Sequence, residues 1–479
     1  MSAIITDKFR RNSVKTLIAD TGNDYYIGIG KSDPWPVIAG VSENSASYST
    51  PGPYGSTYEM PEALENLISI TKVDNMRHVV PKITLQTGKK YKVYDPTDPN
   101  TFFTGDDGLG GTLLPCYAYF PAANAFYVCL RNGGATPGVT ANVPTLDKVY
   151  APESLADGYI WAYIEEFETN SPFDTIQYQS IVGNVSNPNI AAATAATGGM
   201  LYGLSVQDGG TGYDQGNTVI KFAGTVLDSA GNEEYIEYSS EDVTPITFVV
   251  NAGVIESVTL PDPLNAAAFA KGVVKGSITV IDTSSAQSGE GAKVIPMIAP
   301  QLGFGADPIA DLSTFFLGLS AEFDGTQGGD ALLIPYRQIS LIKNPEFNGD
   351  ADGDTVTADA LAWFDVTGEP AIALSVGDVM MVENAVGEEP SKLFYDNHEV
   401  VAGNTRVYFH QNKEVTVNGG ALPATGSVLD ENESAVFSYT GISEPEYMRR
   451  TGEVLFIENR RPITRSASQN EKIKIILQF

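Results

Sequence analysis

Cysteine, histidine and positive charge are all scarce in this chain of 479 residues. Its two cysteines, Cys116 and Cys129, sit in apolar, aromatic settings (LLPCYAYF and FYVCLR) without a CxxC spacing. Its three histidines, His78, His398 and His410, are far apart in sequence. These numbers exclude a disulfide scaffold and a Cys/His zinc site, so the thiols read as buried and free. Lys and Arg total 29 against 59 Asp and Glu, a formal net charge of −30. Such a surface repels nucleic-acid phosphates and anionic lipid headgroups, so neither is expected as a partner. The same charge favours solubility. No apolar run is long enough to cross a bilayer. The opening MSAIITDKFRRNSVK lacks the apolar core of a signal peptide, so synthesis in a reducing cytoplasm is expected.

What is abundant points to β structure. The chain is 42% hydrophobic with 23 Tyr and 21 Phe, ample for real cores, and its 47 Gly and 28 Pro favour turns and loops. At this length roughly two to four domains are expected. Helical periodicity is confined to short stretches, RRNSVKTLIAD after the AIITDKF opening and EALENLISI over 62–70. YYIGIG reads as a strand whose glycines permit close packing. Residues 33–60, rich in Pro, Gly, Ser and Tyr, read as an extended loop. Strands are expected within 79–94, 113–119, 126–130 and 158–164.

From about residue 184 the composition shifts to Ala, Gly, Thr and Asn. The phrases LYGLSVQDGGTGYDQGNTVIKFAG, ITFVVNAGVIESVTLPD and GSITVID follow. Strands of five to eight residues between Gly, Asn and Asp turns predict hairpins of a small sandwich or barrel over 184–300. The character changes again at 301–345, and 346–440 reads as a second, strand-heavy and acidic insertion.

The end of the chain, TGEVLFIENRRPITRSASQNEKIKIILQF, is distinctive. Val454 to Ile457 is an apolar run that Glu458, Asn459, Arg460, Arg461 and Pro462 are expected to break. Ile473, Ile475, Leu477 and Phe479 then alternate with polar residues, the period of a half-buried strand. From Met448 on, seven basic residues, Arg449, Arg450, Arg460, Arg461, Arg465, Lys472 and Lys474, face three acids. The start of the chain is basic too, with Lys8, Arg10, Arg11 and Lys15. If both ends share a domain they form a positive pole on an acidic molecule. That pole either meets an acidic neighbour or is neutralised by the chain's own acids.

Candidate chemistry is thin. Gly30-Lys31-Ser32 matches the close of a phosphate-binding loop, but Tyr25 stands where the first glycine belongs, and Pro34 and Pro36 oppose the helix that would hold a phosphate. Asn348-Gly-Asp350-Ala-Asp352-Gly-Asp354 resembles a calcium loop. Thr355 and Leu361 occupy the glycine and glutamate positions of that pattern, so a solvated acidic turn is the reading. No nucleophile elbow or His-Glu-x-x-His occurs. Trp35, Tyr54, Tyr58 and Trp161 could bind sugars, but aromatic packing is the default. No catalytic residue, cofactor, metal or small-molecule substrate is assigned.

Both ends resemble the baseplate wedge proteins of T-even-type contractile-tailed phages, the gene product eight family. AIITDKFRRNSVK with YYIGIGKSDPW carries the likeness at the start. YRQISLIKNP and the Thr451–Ile463 phrase, with its Glu-Asn-Arg-x-Pro-Ile core and a closing strand ending in Phe, carry it at the end. Val80-Pro81, Tyr94-Asp95, 126–130 and 157–161 match in the same order between them. The anchors cover about a third to a half of the chain. Much of 184–300 and 346–440 has no counterpart, although VQDGGTGYDQGNTVIKF and VNAGVIESVTL are similar to a small β repeat of phage structural proteins.

The resemblance implies a non-enzymatic structural protein of the virion, a homodimer in the tail baseplate of a myovirus. It would link core and peripheral wedge proteins and help transmit the trigger for sheath contraction, and so serve tail assembly, host attachment and genome ejection. It implies a mainly β fold with some α (α+β), in several domains. Both chain ends would form a mixed α/β base domain carrying inserted β-sandwich or β-barrel domains. On that scheme residues 1–183 open the base domain, 184–300 are the first insertion, 301–345 return to the base, 346–440 are the second insertion and 441–479 close the base. Arg449, Arg450, Glu458, Asn459, Arg460, Arg461 and Pro462 are the expected structural or interface residues. The alternative is a carbohydrate-binding or depolymerising tail module. A nucleotide-dependent enzyme fails on its broken phosphate loop.

Overall fold

The computed structural model describes residues 5–53, 59–95, 98–106, 111–132, 153–155, 158–166, 173–175, 177–181, 201–227, 232–242, 245–259, 273–298, 304–305, 307–323, 334–349, 355–383, 390–410, 422–464 and 469–479. The chain is mostly strand, in several separate sheets with few short helices, as its composition predicts. It forms two compact units. The first comprises residues 1–18, 77–318 and 476–479, the second 19–76 and 319–475. Residues 1–18 and 476–479 thus share a unit, but the basic residues near the two ends fall in different ones. Lys8, Arg10, Arg11 and Lys15 belong to the first unit, and Arg449, Arg450, Arg460, Arg461, Lys472 and Lys474 to the second.

In the first unit the helix Asp7–Ile18 starts at Thr6, whose hydroxyl accepts from the Phe9 N–H, and it carries Asp7 in its first turn and Lys15 in its last. It buries Val14 and fastens through Arg11, which donates to the Ser313 hydroxyl at 3.3 Å, and Arg10, stacked on Phe315. A four-stranded sheet orders Tyr117–Phe120, Ala125–Asn132, Tyr159–Glu166 and Glu153–Ser154, every pair antiparallel. Period-two alternation gives that sheet two buried faces. Tyr117, Phe126, Val128, Leu130, Ala162 and Ile164 pack on one side. Phe120, Tyr127, Cys129, Tyr159, Trp161 and Tyr163 pack on the other.

Residues 201–298 build their own apolar cluster around Leu204, Ile220, Phe222, Ile246, Ile255 and Val294. The strands Leu201–Thr211, Thr218–Leu227 and Val273–Asp282 run longer than the expected five to eight residues. In the first of them the Gly209-Gly210 pair lies inside the strand instead of ending it. A Cβ on Gly209 would sit 2.5 Å from the Ile255 carbonyl oxygen, and one on Gly210 would sit 2.3 Å from that of Glu290. Only glycine admits backbone on both sides there.

In the second unit a five-stranded antiparallel sheet orders Thr357–Asp359, Leu67–Lys72, Tyr25–Gly30, Tyr336–Lys343 and Glu453–Ile463. Gly28 lies opposite Ile70 and Ser340. A Cβ there would fall 2.5 Å from the Leu67 side chain, so this glycine sets the close packing expected of YYIGIG. The helix expected over 62–70 is corrected: Glu59–Glu65 is helical, and Leu67–Lys72 is a buried strand. The β-branched ISIT run supplies a strand whose two ladders override the helical pattern.

Seven further strands of this unit form one antiparallel sheet that closes into a barrel. Their order is Ala435–Tyr439, Gly426–Leu429, Val379–Val382, Ser391–Val401, Asn404–His410, Ala362–Val366 and Gly441–Ser443. The first and last of these are consecutive in the chain. They are separated by Thr440, whose N–H donates to the Asp365 carbonyl oxygen at 2.7 Å. One continuous stretch thus pairs with both edges of the sheet and leaves no open edge there. Phe364, Phe409 and Tyr439 stack inside, with Phe364 4.4 Å from each of the other two rings.

Candidate functional site

The strand Glu453–Ile463 is an edge of the five-stranded sheet, and the Glu458-Asn459-Arg460-Arg461-Pro462 phrase does not end it. The expected break is instead a bulge. Asn459 pairs with Gln338 and Ile463 with Tyr336, so Arg460, Arg461 and Pro462 together stand opposite Arg337 alone. Proline donates no ladder hydrogen bond and is tolerated at such an edge. The bulge turns Arg460 and Arg461 out of the ladder, and both are exposed.

The segment 33–51 lies along this strand and is tied to it by directed bonds. The Trp35 indole N–H donates to the Arg460 carbonyl oxygen at 2.7 Å, and the Asn459 amide donates to the Pro51 carbonyl oxygen at 3.0 Å. Gln338 donates to Asn459 Oδ1 at 2.8 Å. Between strand and segment runs a polar groove of about 770 Å³, walled by Tyr48, Ser49 and Thr50 on one side and Glu458 to Ile463 on the other.

Beneath the groove is a buried ion pair. Arg337 grips Glu43 with two bonds, Nε to Oε2 at 2.7 Å and Nη2 to Oε1 at 2.6 Å, and also donates to the Ser32 carbonyl oxygen. The Trp35 N–H is a further donor to Glu43. Burial alone would raise the Glu43 carboxyl, but the Arg337 and Trp35 bonds hold it below its ordinary value. The fork geometry of arginine makes this a rigid floor.

A second clamp holds the same segment. His410, on the barrel strand Asn404–His410, is 2% exposed and sits between Asp396, 2.8 Å from Nδ1, and Asp33, 3.3 Å from Nε2. Phe394 stacks on its ring. Burial would lower this histidine, but the two carboxylates push it up to about 9. Asp33 in turn is held below its ordinary value: burial opposes that, and the His410 bond outweighs it, helped by the charges of His410, Lys31 and Arg337. His410 is therefore a cation linking the 33–51 segment to the barrel.

Of the residues expected from the sequence, Glu458, Asn459, Arg460, Arg461 and Pro462 meet in the groove. Arg460 pairs with Glu458 at 3.0 Å, while Arg461 has no hydrogen bond or ion pair among the described residues. Arg449 and Arg450 do not join them. Arg450, in the left-handed region at φ 68°, pairs with Glu65 at 2.8 Å, and Arg449 lines a different cavity. Self-neutralisation thus accounts for Arg450, for Arg460 and for Lys472, which pairs with Glu322 at 3.4 Å. Sequence reasoning does not reach Glu43, Arg337, Asp33, Asp396 or His410. Glu43 and Arg337 are 294 positions apart, and no local pattern links them.

The other candidates resolve simply. Lys31, in the left-handed region at φ 63°, directly follows the strand Tyr25–Gly30. Trp161 is buried among Tyr91, Phe120 and Tyr159, so it offers no sugar platform. Cys116 and Cys129 are buried thiols. Asp350, Asp352, Asp354, Tyr54 and Tyr58 lie outside the described residues. No protein-family model and no curated protein matches the chain.

Proposed function

We propose that this chain is a structural subunit of the baseplate wedge of a contractile phage tail, joining core to peripheral wedge proteins as a homodimer. The observation that supports the reading is the fate of the Glu-Asn-Arg-x-Pro-Ile phrase. The residues that carry the resemblance form a bulged edge strand over a buried Arg337–Glu43 floor, with Arg461 left for a partner's carboxylate. A rigid floor under outward arginines is a docking device, because it presents charge at fixed geometry with little ordering cost. Signal transmission would then rest on interface geometry, held by the 33–51 segment that both clamps fasten.

The test is assembly. Mixed with the neighbouring wedge proteins of the same particle, the chain should enter a defined complex by light scattering. Arg460→Ala with Arg461→Ala should lower the complex yield while the melting temperature stays within about 2 °C, the size of a surface effect. Protein that ignores these neighbours, or a double variant that assembles as well as wild type, overturns the reading.

A further inference from the structure

The barrel has an open mouth of about 740 Å³ at the end where Ala362, Phe409 and Gly441 lie. Barrel mouths of this volume are common ligand sites. Its walls are mixed: Phe409, Leu422, Ile442 and Met448 are apolar, and Asn348, Thr425, Thr440 and Glu444 are polar. Arg449 is the one cation among the described residues that line it.

Arg449 is half-buried and makes no hydrogen bond or ion pair among the described residues. Burial lowers its basicity, and the charges of Asp396 and Glu65 oppose that. Both of those acids already serve another cation. Asp396 holds His410 through both of its oxygens, and Glu65 pairs with Arg450 at 2.8 Å. A partly desolvated guanidinium without its own anion is unfavourable, and a carboxylate from outside would relieve it. The turn that carries Arg449 is fixed. The Tyr447 hydroxyl donates to the Thr451 carbonyl oxygen at 2.6 Å, the Thr451 hydroxyl to that of Met448 at 2.6 Å, and the Met448 N–H to that of Glu346 at 2.9 Å. The cation is therefore presented by rigid backbone beside the apolar side chains of Phe409, Leu422 and Ile442.

We propose that the barrel mouth receives an acidic–apolar peptide segment of a neighbouring protein, its Asp or Glu carboxylate on Arg449 and its adjoining apolar side chain against Phe409, Leu422 and Ile442. Only the source of the segment rests on the subunit reading above; the chemistry of the pocket is independent of it. Glu444, also at the rim, is a like charge to the incoming carboxylate and moderates its affinity.

The probes are acetyl-Phe-Glu-amide and its neutral twin acetyl-Phe-Gln-amide, added to the full chain and followed by methyl NMR at Ile442 and Met448. The acidic peptide should bind at least tenfold tighter than the neutral one, the ordinary gain of a charge-assisted pair. Arg449→Gln should bring the ratio to about one, Arg449→Lys should keep part of it, and Glu444→Gln should tighten the acidic peptide alone. The wild-type comparison stands even if the Arg449 variants fold poorly. Equal binding of the two peptides, no binding of either at about 10 mM, or binding of free 3-phenylpropionate without the peptide overturns the proposal. A failed assembly experiment with intact peptide binding would count against the subunit reading only.

Discussion

Raising the pH from 6.5 to 9.5 should weaken the second unit through one side chain, His410. Its folded value of about 9 lies above the ordinary 6.5, a rise of about 2.5 units. The native state therefore keeps a proton that the unfolded chain gives up. The stabilisation is complete below pH 6.5 and is lost as pH rises through 9. At 1.36 kcal/mol per unit, that is about 3 kcal/mol between the two limits. For a cooperative body of this size it corresponds to about 6 to 12 °C in melting temperature.

With three histidines in the chain, a ¹³Cε1-labelled histidine spectrum shows three signals, assigned by His→Gln variants. One should titrate near 9 and belong to His410. Another should titrate near 4 and belong to His78, which burial holds neutral and whose favourable state is lost as pH falls below 6.5. Denaturation at both pH values should show the alkaline loss in wild type and its absence in His410→Gln. Three signals titrating near 6.5, or an equal alkaline loss in the variant, would refute the clamp.

Other perturbations act on separate features. Arg337→Ala strands Glu43 as a buried charge and should cost about 3 to 5 kcal/mol in denaturant unfolding. Gly28→Val drives side-chain atoms into Leu67 and Ser340 and should cost at least about 1 to 3 kcal/mol by the same measurement. Cys116 is fully enclosed, and burial pushes its thiol up to about 12, so a thiol reagent at pH 8 should modify neither cysteine until the first unit unfolds.

Features set by neighbouring residues were legible in the sequence. The helix Asp7–Ile18 shows its amphipathic spacing from Arg10 on, although its first turn, in the AIITDKF opening, does not read as helical, and Glu471–Gln478 shows its alternation. Features set by distant pairing were not. Leu67–Lys72 is a strand because Tyr25–Gly30 and Thr357–Asp359 flank it, and the barrel closes only because Ala435–Tyr439 and Gly441–Ser443 meet opposite edges. The candidate site divides the same way. Arg460 and Arg461 stand out as charge in an apolar context, and Pro462 marks the irregularity. Whether that irregularity ends the strand or bulges it depends on Arg337, far away in sequence. Glu43 and Asp33 sit in a segment that reads as an extended loop, and their buried roles depend on partners from other strands.

The central claim is most directly tested by a density map of an assembled contractile tail containing this chain. The account predicts the chain in the baseplate, in two copies per wedge, with the Arg460–Pro462 bulge against the acidic side chains of another subunit. A chain absent from the baseplate, or a bulge facing open solvent in every copy, would contradict it.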